Sequence, residues 1–157
     1  MKLTLGQVRE ALQLPQETLR YWRGALLPLA VRKGHQPCFS PGDLLALAIV
    51  KILVDQFGVQ IRNLDSLARA LFDECEQHSW TRFERQVAVI YPGTWNLLFA
   101  AENQIPQLTG AAIIVPCGPV IAALRAALMV EQTEEPQGAL RFPLAAVERR
   151  SVGGDKS

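Results

Sequence analysis

The sequence contains few of the residues from which metal sites and nucleophilic catalytic sites are built. It has two histidines, His35 and His78, and three cysteines, Cys38, Cys75 and Cys117. Cys75 and His78 lie three residues apart, but zinc needs three or four ligands and the chain has no second pair. The odd, widely spaced cysteines indicate reduced thiols in a cytoplasm rather than a disulfide framework. We therefore expect no enzymatic activity, no metal ion and no cofactor.

Long hydrophobic runs are also missing. The longest, Leu44–Val54, is broken by Lys51 and is too short to span a membrane. The first seven residues lack the apolar core of a signal peptide. Hydrophobic residues make up 49% of the chain and charged residues 20%, which is typical of a folded globular protein. We expect a cytoplasmic protein of one domain or two small ones, with no membrane partner.

The net charge is only +1, but it is unevenly distributed. Residues 1–72 carry nine Lys and Arg against five Asp and Glu, whereas residues 73–157 carry seven against ten. A basic first part and an acidic second part favour a nucleic-acid-binding region followed by a region with another task. Chance scatter remains an equal alternative for so small an excess.

The stretch Gln13–Arg23 predicts a tight turn followed by a short helix. Pro15 suits the first helical position, because its φ is already helical and it has no N–H to leave unpaired. Leu19 can point inward. The remaining surface is rich in groups that contact DNA phosphates and base edges, such as Arg, Tyr, Thr and Gln. We interpret this stretch as the second helix of a helix-turn-helix.

The flanking patterns predict three more helices. Thr4 and Gln7 form a capping box before a first helix over Leu5–Leu12. Ser40 and the residues after it predict a long apolar helix from Pro41 to Phe57, which Gly58 ends. A further helix begins near residue 60. Residues 29–39 have short extended patterning around a basic tip, which predicts a two-stranded wing; a solvated loop with incidental charges is the alternative.

The motif Thr-Leu-Arg-Tyr-Trp at residues 18–22, followed by Leu-Leu-Pro at 26–28, resembles the core of the MerR-type transcription regulators. The resemblance covers about residues 3–72 and also holds for the order of elements: helix-turn-helix, hairpin wing, two helices. It implies that the second helix enters the DNA major groove and that the wing lies along the neighbouring backbone. Leu14 stands where the family usually has a Ser or Thr cap, so this helix should begin without a side-chain acceptor.

The second half of the chain changes character and resembles no family. It predicts a small set of strands followed by helices, with residues 73–86 as a connector or helix extension. The first three predicted strands are Val87–Tyr91, Trp95–Ala100 and Ala111–Val115. They are followed by a predicted helix, Pro119–Val130, and a polar connector, Gln132–Gly138. The chain then continues as a short strand, Ala139–Phe142, a short helix, Leu144–Arg150, and a flexible tail, 151–157. At the corner before Pro119, a helix N-terminus could hold an anion and acidify Cys117, or it could be purely structural.

Together these features predict an α+β fold: a winged helix-turn-helix over residues 1–72, mostly α with four helices and a hairpin wing, and a small α/β domain over residues 87–150. We expect the α/β domain to serve in oligomerisation or to bind a partner or an effector. The expected function is sequence-specific, double-stranded DNA binding as a transcription regulator, with RNA polymerase or another protein as a further partner. The expected DNA-contacting residues are Gln16, Thr18, Arg20, Tyr21, Arg23, Arg32, Lys33 and His35.

Two alternatives stay open from the sequence. An excisionase-like architectural factor of a mobile element uses a similar small winged fold to bend DNA. A protein-interaction adaptor could carry a head that only resembles a DNA reader. For the transcription regulator, a homo-oligomer acting as a dimer is expected, because one half-site of a few base pairs is too short for specificity.

Overall fold

The computed structural model describes residues 1–31 and 38–140; for residues 131–140 it describes the helical backbone alone. Residues 1–124 form one compact unit, and the division from the remainder falls inside the last helix. Within the described ranges, no helix combines the length and apolar character needed to cross a membrane. The mixture of helices with one small antiparallel sheet confirms the predicted α+β class. The functional division at residues 72 and 87 stays a prediction.

The first helix, α1, spans Leu5–Leu12 as predicted. The Thr4 side chain accepts a hydrogen bond from the Gln7 backbone N–H at 3.1 Å, and the Gln7 side chain accepts one from the Thr4 N–H at 2.9 Å. Gln13 ends the helix in the left-handed conformation, with φ of 54°. This residue makes the sharp turn into the next helix.

The second helix, α2, spans Gln16–Ala25. Pro15 has a ψ of 150°, so it is the extended residue before the helix and not the first helical residue, which corrects the prediction by one position. No side chain accepts a hydrogen bond at this end, as expected from the missing Ser or Thr. The helix therefore depends on tertiary packing for much of its stability.

The segment after α2 departs from the prediction. A short helix, α3, occupies Leu27–Ala30, so Leu29 is helical and does not begin a strand. Pro28 lies in its first turn, where a missing N–H is tolerated. Phe39 pairs with Leu3 in an isolated antiparallel bridge. The predicted wing between them falls on residues 32–37, which lie outside the part of the chain described.

Helix α4, Pro41–Phe57, is the core of the protein. Its residues 42–50 are all buried, because neighbouring elements cover it on every side there. Ser40 and Asp43 form a capping box with both hydrogen bonds at 3.0 Å. Gly58 ends the helix with φ of 67°, as predicted.

The next helix begins differently from the prediction. A 3₁₀ turn over Ile61–Leu64 precedes α5, which spans Asp65–Gln77. The short helix α6 follows at Trp80–Phe83. Residues 73–86 thus first extend α5 and then link it to the sheet, which combines the two options left open by the sequence.

The sheet has three antiparallel strands: β1 Gln86–Tyr91, β2 Asn96–Ala101 and β3 Ile113–Pro116. Their order is β2-β1-β3, so β1 is central. All three were predicted to within two residues at each end. The second begins one residue late, because Trp95 has a left-handed φ of 58° and belongs to the turn.

The last described helix, α7, spans Cys117–Leu140. It begins two residues before the predicted start and continues through the predicted connector at 132–138, so that prediction was wrong. Residues 139 and 140 are helical, which contradicts the start of the predicted short strand. The acidic segment 131–135 is compatible with helix, and a polar composition alone does not separate a loop from a solvated helix. The predictions for residues 144–157 lie beyond the described chain.

Two close backbone approaches join these elements. A Cβ on Gly42 of α4 would collide with the Cys75 carbonyl oxygen of α5 and would lie 2.7 Å from that carbonyl carbon. A Cβ on Gly118 of α7 would lie 2.7 Å from the Glu84 carbonyl oxygen. The Trp80 indole N–H donates to the Pro41 carbonyl oxygen at 2.9 Å. The sheet and the helices therefore pack as parts of one unit.

Candidate nucleic-acid interface

Helix α2 has two contrasting faces. Leu19 and Trp22 are only 1% and 3% exposed and anchor the helix in the core. Gln16, Arg20 and Tyr21 are exposed. The helix is thus held by its apolar side while it offers a polar, basic side to a partner.

The two predicted base-reading residues differ in exposure. Gln16 is exposed in the first turn of α2, whereas Thr18 is half-buried. An exposed amide can reach a base edge and can both donate and accept hydrogen bonds there. Of the pair, Gln16 has the freer access to a groove.

The three predicted phosphate-contacting residues also lie in different surroundings. Arg20 makes an exposed ion pair with Glu17 at 3.6 Å. Tyr21 is 57% exposed. Arg23 is half-buried, and its guanidinium lies 6.0 Å from the centroid of the Phe39 ring, which is within cation–π range. Arg23 therefore lies beside Phe39, which follows residues 32–37 in the chain.

Arg32, Lys33 and His35 fall within residues 32–37, outside the described part of the chain. Their contact with DNA stays a prediction.

Sequence reasoning missed Arg9. This side chain of α1 reaches a cavity of about 300 Å³ between α1 and α2. The cavity is lined by Leu5, Arg9, Gln16, Leu19, Arg20 and Arg23. The signal was available in the spacing, since positions 5 and 9 share one face of α1. The apolar pattern of that helix drew attention to its buried positions instead.

The pKa of Cys117 is raised, whereas the sequence had indicated that a helix N-terminus could lower it. Burial raises the pKa of the Cys117 thiol to about 11, although a backbone hydrogen bond from Ala88 lowers it somewhat. Burial also raises the pKa of Cys75 well above its usual range, and the nearby Cys117, Glu74 and Asp43 raise it further. The helix N-terminus at residue 117 thus does not produce a reactive thiolate, because desolvation outweighs it.

The sheet offers two hollows of the size of small-molecule sites. One, of about 680 Å³, is lined mainly by the turn after β1 and by residues 109–111. The other, of about 400 Å³, lies between α5, α6 and β2 and includes Asp73, Glu74 and Arg82. Among the side chains described, no three His, Cys, Asp or Glu groups converge as metal ligands would.

Comparison with known proteins bears on the first part of the chain. Residues 3–71 match a family model described as MerR HTH family regulatory protein. This match confirms the predicted resemblance over the same residues, and α1 and α2 are its helix-turn-helix. No curated protein and no solved structure matches the chain. The match supports a MerR-type helix-turn-helix domain in the N-terminal part of the chain, and with it a DNA-binding regulator of that type.

Proposed function

We propose that this protein is a sequence-specific transcription regulator that places α2 in the major groove of its target. The observation that carries the proposal is the exposed polar face of α2, held over a buried apolar seam, within a domain that matches the MerR family. An α-helix fits the major groove, where each base pair presents a distinct pattern of donors and acceptors.

The contacts divide by chemistry and position. Gln16 and Thr18, in the first turn of α2, read base edges. Arg20, Tyr21 and Arg23 hold phosphates, which fixes the register of the helix. Arg32 and Lys33 bind the flanking backbone, with His35 beside them. The amide of Gln16 matches adenine in the major groove, which makes adenine the expected partner base.

The proposed active form is a dimer formed through the second half of the chain. Both β2 and β3 are edge strands that pair only with β1 among the strands described. Leu98 on β2 is 37% exposed, so one edge carries an accessible apolar side chain. Open edges favour pairing with another chain, and a two-fold arrangement would bring two copies of α2 to one site. Sedimentation of the full chain at micromolar concentration tests this, and a monomer contradicts it.

The DNA-binding proposal is tested by selecting binding sites from a random duplex pool and then titrating the selected site with salt. Arg20→Ala should weaken binding to all duplexes and reduce the salt slope by about one, as expected for one lost phosphate contact. Arg85→Ala is the matched control, because Arg85 is also an exposed arginine and lies just before β1.

Enrichment of one sequence with a steep salt slope supports the regulator. Binding without a salt dependence, or no binding, contradicts it and leaves an interaction adaptor. A footprint on genomic DNA distinguishes a promoter from a recombination site, and the latter would indicate the excisionase-like role.

A further inference from the structure

We propose that Arg9, Arg20 and Arg23 form one pocket that binds a single phosphodiester group of the DNA backbone. Arg9 thereby becomes a DNA-binding residue on α1, outside the recognition helix. This inference rests on the proposed function, because the phosphate belongs to the duplex that α2 reads.

The first support is the geometry of the cavity between α1 and α2. On α1, Leu5 and Arg9 are four residues apart and lie on one face. On α2, Gln16, Arg20 and Arg23 are spaced by four and three residues and also share a face. The two faces meet around a space of about 300 Å³. The pocket therefore opens beside the same side chains that face the groove.

The second support is an unpaired donor. The Nε atom of Arg9 is buried and has no hydrogen-bond partner, and it is the one such side-chain atom among the residues described. Buried donors are almost always paired, so one without an acceptor indicates that an acceptor arrives from outside. A phosphate oxygen is an acceptor with no proton to interfere, and the guanidinium fork matches its geometry.

The third support is charge. Three guanidinium groups line one small cavity, and like charges at close range disfavour one another unless an anion lies between them. Arg20 pairs with Glu17 at 3.6 Å on the exposed side. Such an exposed pair is weak and can be exchanged for a phosphate. The third guanidinium, that of Arg23, lies 6.0 Å from the centroid of the Phe39 ring.

The apolar wall of the pocket sets the orientation of the bound phosphodiester. Leu5 and Leu19 form this wall, and Leu19 is 1% exposed. A phosphodiester carries its charge on two oxygens and continues as sugar on both sides. It can place the charged oxygens among the arginines and leave the sugars at the open mouth. A free phosphate ion also has charged oxygens that can bind the arginines, but it carries no sugars.

The experiment compares Arg9→Met, Arg9→Lys and the wild-type full chain on the selected duplex. Methionine keeps an unbranched stem and removes every donor. We expect Arg9→Met to bind roughly tenfold more weakly and to lose about one unit of salt slope. Thermal stability should not fall, because a buried unpaired donor has been removed. Arg9→Lys should keep the slope but lose part of the affinity, since a point charge replaces a fork.

The control is Arg85→Met, which removes an exposed arginine elsewhere on the same compact unit. An unchanged salt slope for Arg9→Met, together with the expected loss for Arg20→Ala, overturns the pocket and leaves the DNA-binding function intact. If the wild-type chain binds no DNA, the proposed function falls, and the pocket falls with it.

A spectroscopic readout separates the two sources of phosphate. The Nε–H resonance of Arg9, assigned by its loss in Arg9→Lys, is followed during titration with the duplex and with inorganic phosphate. A DNA backbone site is supported if the resonance shifts at a stoichiometric concentration of duplex but shifts with inorganic phosphate only at millimolar concentrations. A shift with inorganic phosphate but none with duplex makes it a free-anion site and overturns the proposal.

Discussion

Helix α2 and strand β1 are built for opposite purposes. Helix α2 buries Leu19 and Trp22 and leaves Gln16, Arg20 and Tyr21 exposed. Strand β1 buries four consecutive residues, Val87–Ile90, so both of its faces are covered. Helix α2 exposes polar and charged side chains to solvent, whereas β1 forms part of the buried core.

The difference between these two regions teaches where substitutions should act. Changes on the exposed face of α2 should remove the proposed contacts with DNA and leave the core untouched. Substitutions where α4, α5, α7 and the sheet meet should change the stability of the protein without removing the proposed contacts with DNA. The close approaches at Gly42 and Gly118 lie away from α2, between α4 and α5 and between α7 and Glu84, so substitutions there test whether stability and DNA contacts are separate.

The largest expected effect comes from Gly42→Ala. The new methyl group meets the Cys75 backbone carbonyl, which cannot move without shifting α5 against α4. We expect the free energy of unfolding to fall by about 3 kcal/mol, at the upper end of typical overpacking. Chemical denaturation measures it. The fraction that remains folded should bind DNA with the wild-type salt slope.

Gly24→Ala is the matched control within α2. Among the described residues, no atom other than those of its chain neighbours and the backbone of its own helix lies within 4 Å of the position that its Cβ would take, and alanine favours helix over glycine. Stability should rise by roughly 0.5–1 kcal/mol. Equal losses for both substitutions would show that backbone approach at residue 42 is not what matters.

The second prediction concerns alkaline pH and the buried thiols. Because the folded-state pKa of Cys117 is about 11 against 9.0 for the free thiol, the folded protein holds its proton longer. Stability should therefore be fully present below pH 9 and decline between pH 9 and 11, by roughly 1 kcal/mol per pH unit for one thiol. The raised pKa of Cys75 acts in the same direction.

The comparison chain is the double variant Cys75→Ala, Cys117→Ala, denatured over the same pH range. It lacks both thiols, so its stability should decline less steeply above pH 9. Parallel pH profiles would contradict the burial of the two thiols. DNA binding at neutral pH should be the same in both proteins, which keeps the effect inside the supporting region.

The third prediction divides the base-reading pair on α2. Gln16→Ala should relax the preference at one base position at a cost of about 1–3 kcal/mol for a bidentate contact. Thr18→Ala should have the smaller effect on preference, because Thr18 is half-buried. Site selection with each variant measures this. Full retention of the wild-type preference in both would move base reading to residues 32–37.

The local elements were predictable because their signals are local. Helix α1 and helix α4 each carry a capping box, and Gly58 carries the left-handed stop. The three strands are short β-rich runs with turn residues between them. The basic face of α2 followed from the motif at residues 18–22. In each case, neighbouring residues are enough to decide the conformation.

The features that were missed depend on contacts distant in sequence. The α1–α2 cavity forms only when two helices pack, so the shared face of Leu5 and Arg9, visible in their spacing, gains a meaning only once α2 lies against it. The high pKa of Cys117 depends on burial, whereas the sequence indicated only a helix end. The continuation of α7 through a polar segment reflects a helix propensity that composition alone underestimates.

The smallest expected effect is an improvement in DNA binding by Glu17→Gln. Glu17 lies at the start of α2, beside the residues proposed to meet phosphates, and pairs with Arg20 at 3.6 Å in an exposed position. Its charge repels the DNA backbone and holds an arginine that DNA would otherwise use. Glutamine is close in size and removes both effects. Affinity should rise about twofold to fivefold at low salt, and the gain should shrink as salt screens the charge. The substitution also removes a favourable acidic residue from the first turn of α2, so stability should fall by roughly 0.3–1 kcal/mol.

Glu74→Gln, on α5, serves as the control for an equal change in net charge. A rise in affinity of the same size in the control would mean that net charge alone is responsible, and that Glu17 has no special place beside the interface.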